Sequence, residues 1–492
     1  MREQKQQAGV PIGPNNPPHG FAFHKGLDEG GFARPTVVTR WPVIVTDVVN
    51  AVLAASSASA NMNADSIYSG ANSAGVIARL SKLKYEIARD KPFSRMADDV
   101  NVNVNAENTA GNTDADARNE IARFANFWDA AVATHFPSAS FFSASWLFAE
   151  CLLYARIHAA INASPQWFGF DPFLIGKRQA FIDVATNVAS LAESHLHLVD
   201  AINLAPLSQS SFAINLRHYF LLALWGNATD LSMFAGLSDE EVTNMRNAAQ
   251  GETSIISNHL SEILEYFDQP LFRSKARIDF VLDNSGFELY SDLLLADYLH
   301  STGRVRKTVF HCKTIPWFVS DTMPADFNWL IDDALANPSI FFASSHLQKP
   351  PTLSETQVSA LQTLAARFRQ HISSGAWVIT SDPIWCTFYA HHHLHTEVPH
   401  LFNEWKNESG CVIFKGDLNY RKLVYDARFP ATWPFRDAIG SVAELPAVVS
   451  LRTNKSDPIV GLAQGVEDGL LDQGYTDWRW SGKFAVVEFS KN

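Results

Sequence analysis

The sequence contains little cysteine, and its cysteines show no pairing pattern. Among 492 residues there are four, at Cys151, Cys312, Cys386 and Cys411. Their scattered spacing excludes a cysteine-based zinc motif and a disulfide framework, and it is typical of a protein in a reducing compartment. We therefore expect a cytoplasmic location, with the nucleus as an open alternative.

The sequence also lacks an apolar targeting segment and a positive net charge. No apolar signal core follows Met1, and no apolar run approaches the length needed to span a membrane. The 51 acidic residues outnumber the 39 basic ones, which gives a formal charge of −12. This balance argues against a general nucleic-acid binder but leaves room for a local basic pocket. We expect no membrane or nucleic-acid partner, and composition does not fix the oligomeric state.

The pattern of apolar residues changes near residue 270. Residues 271–492 alternate strand-like runs with helical stretches, which is typical of a three-layer α/β/α domain with a mostly parallel sheet. Residues 20–270 predict a mainly helical domain. Within it, residues 56–75 and 101–116 are rich in small and polar residues and predict loop insertions. Residues 1–19 predict a flexible tail.

A polar turn at residues 283–287 separates a strand-like run from a helical stretch. Asp283 and Asn284 offer hard oxygen ligands to a divalent cation, and the free N–H groups near Gly286 offer an anion site beside it. A metal next to an anion pocket is what phosphate-ester chemistry needs. The simpler interpretation is an Asx-turn that caps the following helix.

Four more strand-like runs end in polar clusters, at residues 305–311, 377–380, 411–414 and 447–451. In a parallel sheet all carboxyl ends lie at one edge, where ligands bind in open α/β folds. Side chains that follow these runs are therefore expected to converge. The expected set is Asp283, Asn284, Asp321, Asp417, Arg421, Arg452 and Lys455.

Four motifs in order carry a resemblance to a known family. They are Asp-Asn-Ser-Gly-Phe-Glu at 283–288, Ser-Asp at 381–382, Lys-Gly-Asp-Leu-Asn-Tyr-Arg at 415–421 and Arg-Thr-Asn-Lys at 452–455. Together they resemble the metal-dependent damage-control phosphatases. The last motif resembles the Arg-Thr-x-Lys motif of the sugar-phosphate phosphatase subfamily. This subfamily is also described as acidic residue methyltransferase-like. The resemblance extends through N-terminal helical segments and covers nearly the whole chain.

The resemblance implies a divalent metal held by Asp283, Asn284 and Asp321. Because the family's metal preference is loose, the cofactor is expected to be Mn²⁺, Ni²⁺, Co²⁺ or Mg²⁺. Asp283 and Lys455 are the expected catalytic residues. The nucleophile is either a water or an aspartate, and we favour a metal-activated water.

The resemblance also implies a substrate-binding segment that ends with Arg421. Its members are Asp417, Leu418, Asn419, Tyr420 and Arg421, together with Lys455 beyond the last strand. Asp417 and Asn419 suit sugar hydroxyls, and Arg421 suits phosphate.

Three further residues are possible members of the site, namely Glu288, Arg452 and Thr453. Strand alternation places Arg452 away from Thr453, so one of these two residues can be structural. Glu288 can equally serve to stabilise the helix dipole.

The expected function is metal-dependent hydrolysis of a small-molecule phosphate ester, with sugar phosphates such as fructose 1-phosphate and fructose 6-phosphate as substrates in a damage-control role. One alternative is an S-adenosylmethionine-dependent protein carboxyl (glutamate) O-methyltransferase, which the lack of a Gly-x-Gly nucleotide loop weakens. A second is a non-catalytic binding protein. The histidine-rich run from His391 to His395 lacks the acid of an HExxH motif, so it is a weak metal candidate.

Overall fold

The structure is a computed structural model that describes residues 13, 18–57, 67–100, 113–226, 251–343 and 351–492. Three sequence predictions fall partly outside these residues. They concern residues 1–12 and 14–17 of the tail, 58–66 of the first loop insertion and 101–112 of the second.

Internal contacts divide the chain into two compact units. Unit 1 contains Met1–Leu174, Cys386–Tyr389 and Tyr425–Arg428, and unit 2 contains Ile175–Trp385, Ala390–Val424 and Phe429–Asn492. The division at residue 174 differs from the boundary expected near residue 270. The physical reason is that three helices between residues 174 and 225 pack in the unit that holds the sheet.

Unit 1 is built from helices. They are α1 (Ala33–Pro35), α2 (Trp41–Ser57), α3 (Ala74–Ala88), α4 (Met96–Val100), α5 (Thr113–His135) and α6 (Trp146–Asn162). Almost every residue of α6 is buried, including the charged residues Glu150 and Arg156. Glu150 accepts a hydrogen bond from the Trp41 indole at 3.2 Å, and Arg156 forms an ion pair with Glu86 of α3. Buried charges need such partners, so these residues are part of the core of unit 1.

One helical stretch among the described residues meets the length and composition of a membrane span. It runs from Ala33 to Ser57 and is 25 residues long. The sequence analysis expects no such run. Trp41, Val45 and Val52 within this stretch are fully buried in unit 1. Because core helices pass the same test, the stretch is weak evidence about a membrane.

Unit 2 contains the remaining helices and the sheet. The helices are α7 (Leu174–Ile182), α8 (Ala185–Leu204), α9 (Gln209–Trp225), α10 (Leu260–Asp268), α11 (Pro270–Lys275), α12 (Phe287–Ser301), α13 (Pro324–Asn328), α14 (Pro338–Ala343), α15 (Glu355–Ser373), α16 (Leu394–Glu397), α17 (Pro399–Glu408), α18 (Gly416–Leu423), α19 (Phe435–Ala438) and α20 (Val466–Asp472).

The sheet of unit 2 has seven strands, and it confirms the predicted α/β class. They are β1 (Ile255–Asn258), β2 (Arg277–Val281), β3 (Lys307–Cys312), β4 (Trp377–Ser381), β5 (Cys411–Lys415), β6 (Ala447–Thr453) and β7 (Ala485–Lys491). The spatial order is β1-β7-β6-β5-β2-β3-β4. β6, β5, β2, β3 and β4 are parallel, whereas β7 is antiparallel to β6. The sequence analysis missed β1 and β7.

The strand order reverses at β2. The chain passes from β2 to β3 and β4 on one side, and then returns to β5 and β6 on the other side. Phe280 of β2 is in register with Phe310 of β3 and with Ile413 of β5. The carboxyl ends of β2 and β5 therefore border a topological switch point, where open α/β sheets bind their ligands.

Helix α12 follows β2 directly and is buried over most of its length. Its three buried acids, Glu288, Asp292 and Asp297, all have charged partners. Asp297 accepts hydrogen bonds from His195 at 2.7 Å, from His371 at 2.6 Å and from Arg367 at 2.7 Å. Charges paired in this way are tolerated in a core, so α12 gives the turn before it a rigid support.

Candidate active site

Asp283 lies at the carboxyl end of β2 and is buried against the start of α18. Gly416, the first residue of α18, has φ +79°. A β-carbon added at Gly416 would lie 2.7 Å from the Asp283 Cβ and would overlap the carboxylate itself. Only glycine combines that backbone angle with that space. The switch point therefore brings Gly416, directly after β5, against Asp283, two residues after β2.

Asn284 and Asp321 lie side by side on two chain segments. Their backbones form an antiparallel bridge. The bridge is extended by hydrogen bonds from Thr322 N to Asp283 O at 2.7 Å and from Ser285 N to Ser320 O at 2.8 Å. The three predicted metal ligands are thus brought to one place.

An unusual turn precedes Asp321. Phe318 and Val319 have φ of 44° and 70°. The left-handed region is rare for bulky and β-branched residues, and strain of this kind costs roughly 1–3 kcal/mol per residue. The turn brings Ser320 into hydrogen-bonding contact with the Asn284 side-chain oxygen. Strained backbone that shapes a cluster of polar groups is typical of functional sites.

The pKa values of both carboxylates, Asp283 and Asp321, are raised. Burial raises the pKa of Asp283 well above its usual value, and the nearby Glu288 and Asp321 carboxylates raise it further, while Lys313 and Lys455 oppose them. Burial likewise raises the pKa of Asp321 to about 6, against the opposing effect of Lys313. Like charges crowded in a buried site create a potential that favours a cation.

Buried lysines surround the acids. Lys313 Nζ lies 3.2 Å from Asp321 Oδ2 and donates to Leu282 O at 2.8 Å. Lys177 donates to Asp321 O at 3.1 Å, and the charge of Lys422 also lowers the pKa of Asp321. The sequence analysis missed all three. Lys313 could have been predicted, because it lies directly after β3, at the same edge of the sheet. Lys177 is distant in sequence, and no sequence pattern connects it with the site.

The donor set fits a hard divalent cation. Asp283, Asn284 and Asp321 supply two carboxylates and one amide oxygen, and Mg²⁺ and Mn²⁺ prefer oxygen ligands. Within the described part of the chain, no group of three or more His, Cys, Asp or Glu side chains is arranged to hold a metal. The predicted set contains only two such side chains, Asp283 and Asp321, and its third oxygen donor is the amide of Asn284.

Arg452 is a structural member of the site. It is fully buried, and its guanidinium bonds Asp417 Oδ1 at 2.8 Å, Pro458 O at 2.6 Å and Ser456 O at 2.9 Å. It also lies over the ring of Tyr420, 4.2 Å from the centroid. Arg452 therefore fixes the loop that follows β6, and Thr453 is the last residue of that strand.

Lys455 extends from the loop that Arg452 holds. Its backbone N–H donates to Asp417 Oδ1 at 3.2 Å. Its charge lowers the pKa of Asp283, so the two groups lie close enough to interact. The contact of Lys455 with a ligand stays a prediction.

The segment from Asp417 to Arg421 forms α18 and is mostly engaged within unit 2. Burial alone would raise the pKa of Asp417, but Arg452 and Arg421 outweigh it and lower the pKa. Asn419 donates to Val281 O and Leu282 O at 3.2 Å and to Lys415 O at 2.7 Å. Contacts from Asp417 and Asn419 to a sugar therefore stay predictions.

The remaining residues of this segment are also buried. Leu418 is 4% exposed, Tyr420 accepts a hydrogen bond from Val460 N at 2.9 Å, and Arg421 is 2% exposed. The structure thus places Arg421 beside Asp417, and its contact with phosphate stays a prediction.

One histidine of the His-rich run lies near the site. His391 is buried, and its Nε2 is 3.2 Å from Asn419 Oδ1. Burial and the charge of Lys422 lower the pKa of His391 well below its usual value. His392 accepts a hydrogen bond from Ser441 N and lies outside this group. His391 and His392 therefore lie in different environments.

The family model and the related sequences agree on one family. The family model for the damage-control phosphatase ARMT1-like domain matches residues 36–470. Damage-control phosphatase ARMT1 of Danio rerio is 30% identical over 477 residues, covering 94% of this chain and 95% of that protein. The Homo sapiens protein of the same name is 29% identical over 469 residues, covering 94% and 97%. A DUF89 family crystal structure from Pyrococcus horikoshii covers 73% of this chain and 88% of its own, with 14% identity and a TM-score of 0.32.

Proposed function

Because the chain belongs to the damage-control phosphatase ARMT1-like family, we propose that it is a metal-dependent phosphatase of small phosphorylated metabolites. The proposed substrates are sugar phosphates such as fructose 1-phosphate and fructose 6-phosphate. The observation that carries the proposal is the convergence of Asp283, Asn284 and Asp321 at the switch point of the sheet, with cationic side chains around them.

The acidic cluster would hold the cation. Asp283, Asn284 and Asp321 would be its ligands, since each carries an oxygen at the same edge of the sheet. A bound divalent cation would neutralise phosphate charge and acidify a water for attack. Lys313, 3.2 Å from Asp321, would keep this carboxylate ionised and oriented. We favour water over an aspartate as the nucleophile.

The basic loop after β6 would hold the phosphoryl group. Lys455 would stabilise the charge that develops on the phosphoryl oxygens, because a fixed ammonium is most effective where charge grows. Arg452 and Asp417 would act through the backbone of this loop, since both bond within it. Arg421 would add a second cation for a dianionic phosphate.

The test is a metal-dependent substrate screen on the full-length protein. The protein is first treated with EDTA and then assayed with p-nitrophenyl phosphate, fructose 1-phosphate and fructose 6-phosphate, with Mn²⁺, Co²⁺, Ni²⁺ or Mg²⁺ added singly. We expect hydrolysis that depends on added metal. Turnover that EDTA leaves unchanged would overturn the proposed metal dependence. Transfer of label from S-adenosylmethionine without hydrolysis would favour the methyltransferase alternative.

A further inference from the structure

Asn284 is held in a single amide orientation. Its Nδ2 donates to Asp283 Oδ2 at 2.7 Å and to Glu288 Oε2 at 2.8 Å. Its Oδ1 accepts a hydrogen bond from the Ser320 hydroxyl. The amide nitrogen therefore faces the two acids, and the amide oxygen faces Ser320.

Glu288 is itself fixed by a buried lysine. Lys415 Nζ lies 3.0 Å from Glu288 Oε1 and 2.8 Å from Asp292 Oδ1. It also donates to Ala223 O. All three charged side chains are at most 4% exposed. One ammonium therefore joins two carboxylates that lie one turn apart on α12, and it leaves the second oxygen of Glu288 for Asn284.

We propose that Glu288 is a positioning residue that holds Asn284 with its amide oxygen available to the metal, and that Lys415 holds Glu288 in place. This inference rests on the proposed metal site. Groups that orient a metal ligand through a hydrogen bond affect metal affinity nearly as much as the ligand does, because a ligand free to rotate must be ordered on binding. Without Glu288 the amide of Asn284 can turn over.

The simpler role for Glu288 is electrostatic. It lies in the first turn of α12, where a negative charge stabilises the helix dipole, and it neutralises Lys415. Asp292 separates the two roles. It is buried on the same helix and binds the same lysine, but no described hydrogen bond joins it to Asn284. If Glu288 acts only as a partner for Lys415, replacement of either acid should weaken metal binding. If Glu288 orients the amide of Asn284, only replacement of Glu288 should do so.

The experiment measures Mn²⁺ binding to the EDTA-treated full-length protein by titration calorimetry, without substrate. Glu288→Gln is compared with Asp292→Asn as its matched control, and circular dichroism checks folding. We expect Glu288→Gln to weaken Mn²⁺ binding by roughly 10- to 100-fold. Asp292→Asn should change it by less than about twofold, which is within ordinary mutational scatter. Glu288→Asp keeps the charge but is one methylene shorter, so it should also weaken binding, and it replaces the glutamine variant if that variant does not fold.

The outcomes separate this inference from the proposed function. Wild-type affinity in the two Glu288 variants, with metal-dependent hydrolysis in the wild type, would overturn the positioning role and leave the phosphatase intact. Equal weakening in Asp292→Asn and Glu288→Gln would also overturn it, since the effect would then come from Lys415. A wild-type protein that binds no Mn²⁺ would overturn both.

Discussion

The carboxylate of Asp283 occupies the space where a side chain at Gly416 would lie. The two residues follow neighbouring parallel strands, and a β-carbon at Gly416 would come within 2.7 Å of the Asp283 Cβ. The space for the first predicted metal ligand thus depends on the absence of a side chain at Gly416, directly after the neighbouring strand β5.

Gly416→Ala is expected to disable the site. The added methyl group must displace Asp283, and a misplacement of about 1 Å can lower turnover by on the order of 100-fold. Gly474→Ala is the matched control, because Gly474 also has positive φ, +84°, but no atom lies within 4 Å of its added β-carbon. The control should lose only about 1–2 kcal/mol of stability from backbone strain. Kinetics and thermal unfolding of both variants measure the difference, and equal activity losses would contradict the packing argument.

Asp283→Asn should separate stability from activity. Removal of one charge from a buried group of three carboxylates relieves repulsion, so the EDTA-treated variant should be more stable than the wild type by about 1 kcal/mol. Metal-dependent turnover should be lost. Denaturant unfolding with and without Mn²⁺ measures both effects. If the variant is less stable than the wild type in EDTA, the nearby cations already balance the charge of the Asp283 carboxylate without metal.

Lys455→Ala should lower kcat more than it raises KM. Its ammonium would matter most as charge develops on the departing phosphoryl group, and the expected loss is about 2–4 kcal/mol in activation free energy. Lys483→Ala is a control at an exposed lysine of the same unit. Steady-state kinetics with a sugar phosphate measures the separation. An increase in KM alone would make Lys455 a contact to the ground-state substrate.

Arg421 should affect the binding of inorganic phosphate. Arg421→Ala removes a potentially bidentate contact, worth about 1.5–3 kcal/mol, and should weaken competitive inhibition by phosphate and hydrolysis together. Arg421→Lys should restore only part, because an ammonium lacks the planar fork. Inhibition constants of the three proteins measure this, with melting temperatures as a check on folding. If the constants agree, Arg421 serves Asp417 and not the substrate.

The buried acid Glu488 should make stability depend on pH. Burial raises the pKa of Glu488 to about 7 from an ordinary value of 4.5, although His259 at 3.5 Å opposes the rise. The folded protein then keeps a proton that the unfolded chain has released, so stability should decrease as pH rises from about 4.5 to 7, by about 3 kcal/mol at most.

Replacement of this acid provides the test. Glu488→Gln should reduce the pH dependence in this range, while Glu265→Gln, at an exposed position of α10, should leave it unchanged. Denaturant unfolding at pH 5 and pH 8 gives the comparison. A variant with the same pH dependence as the wild type would exclude Glu488 as its source.

The parts of the site that follow parallel strands could be predicted from the sequence. Each strand-like run shows where a carboxyl end lies, and topology alone places Asp283, Asp417 and Lys455 at one edge of the sheet. The fold class follows from the same alternation and is confirmed by the sheet. Strands β1 and β7 could not be predicted in this way, because they lie outside the alternating pattern.

The contacts between these residues could not be predicted from the sequence. The role of Arg452 depends on Asp417 and on the carbonyls of its own loop, and no periodicity encodes such bonds. The same holds for Lys177, which comes to Asp321 from a distant helix. Alternation predicts that Arg452 and Thr453 point apart, and only the three-dimensional contacts show that Arg452 bonds to Asp417 and to its own loop.

The central position of β2 has a consequence for how the protein folds. Asp283, Asn284 and Asp321 come from one half of the sheet, and Gly416, which shapes the space for Asp283, comes from the other half. Long-range pairing of this kind closes large loops and is slow. We expect the cation site to be completed only when β5 has docked on β2. A nascent chain that ends before β5 would carry all three ligands without the geometry that makes them a site.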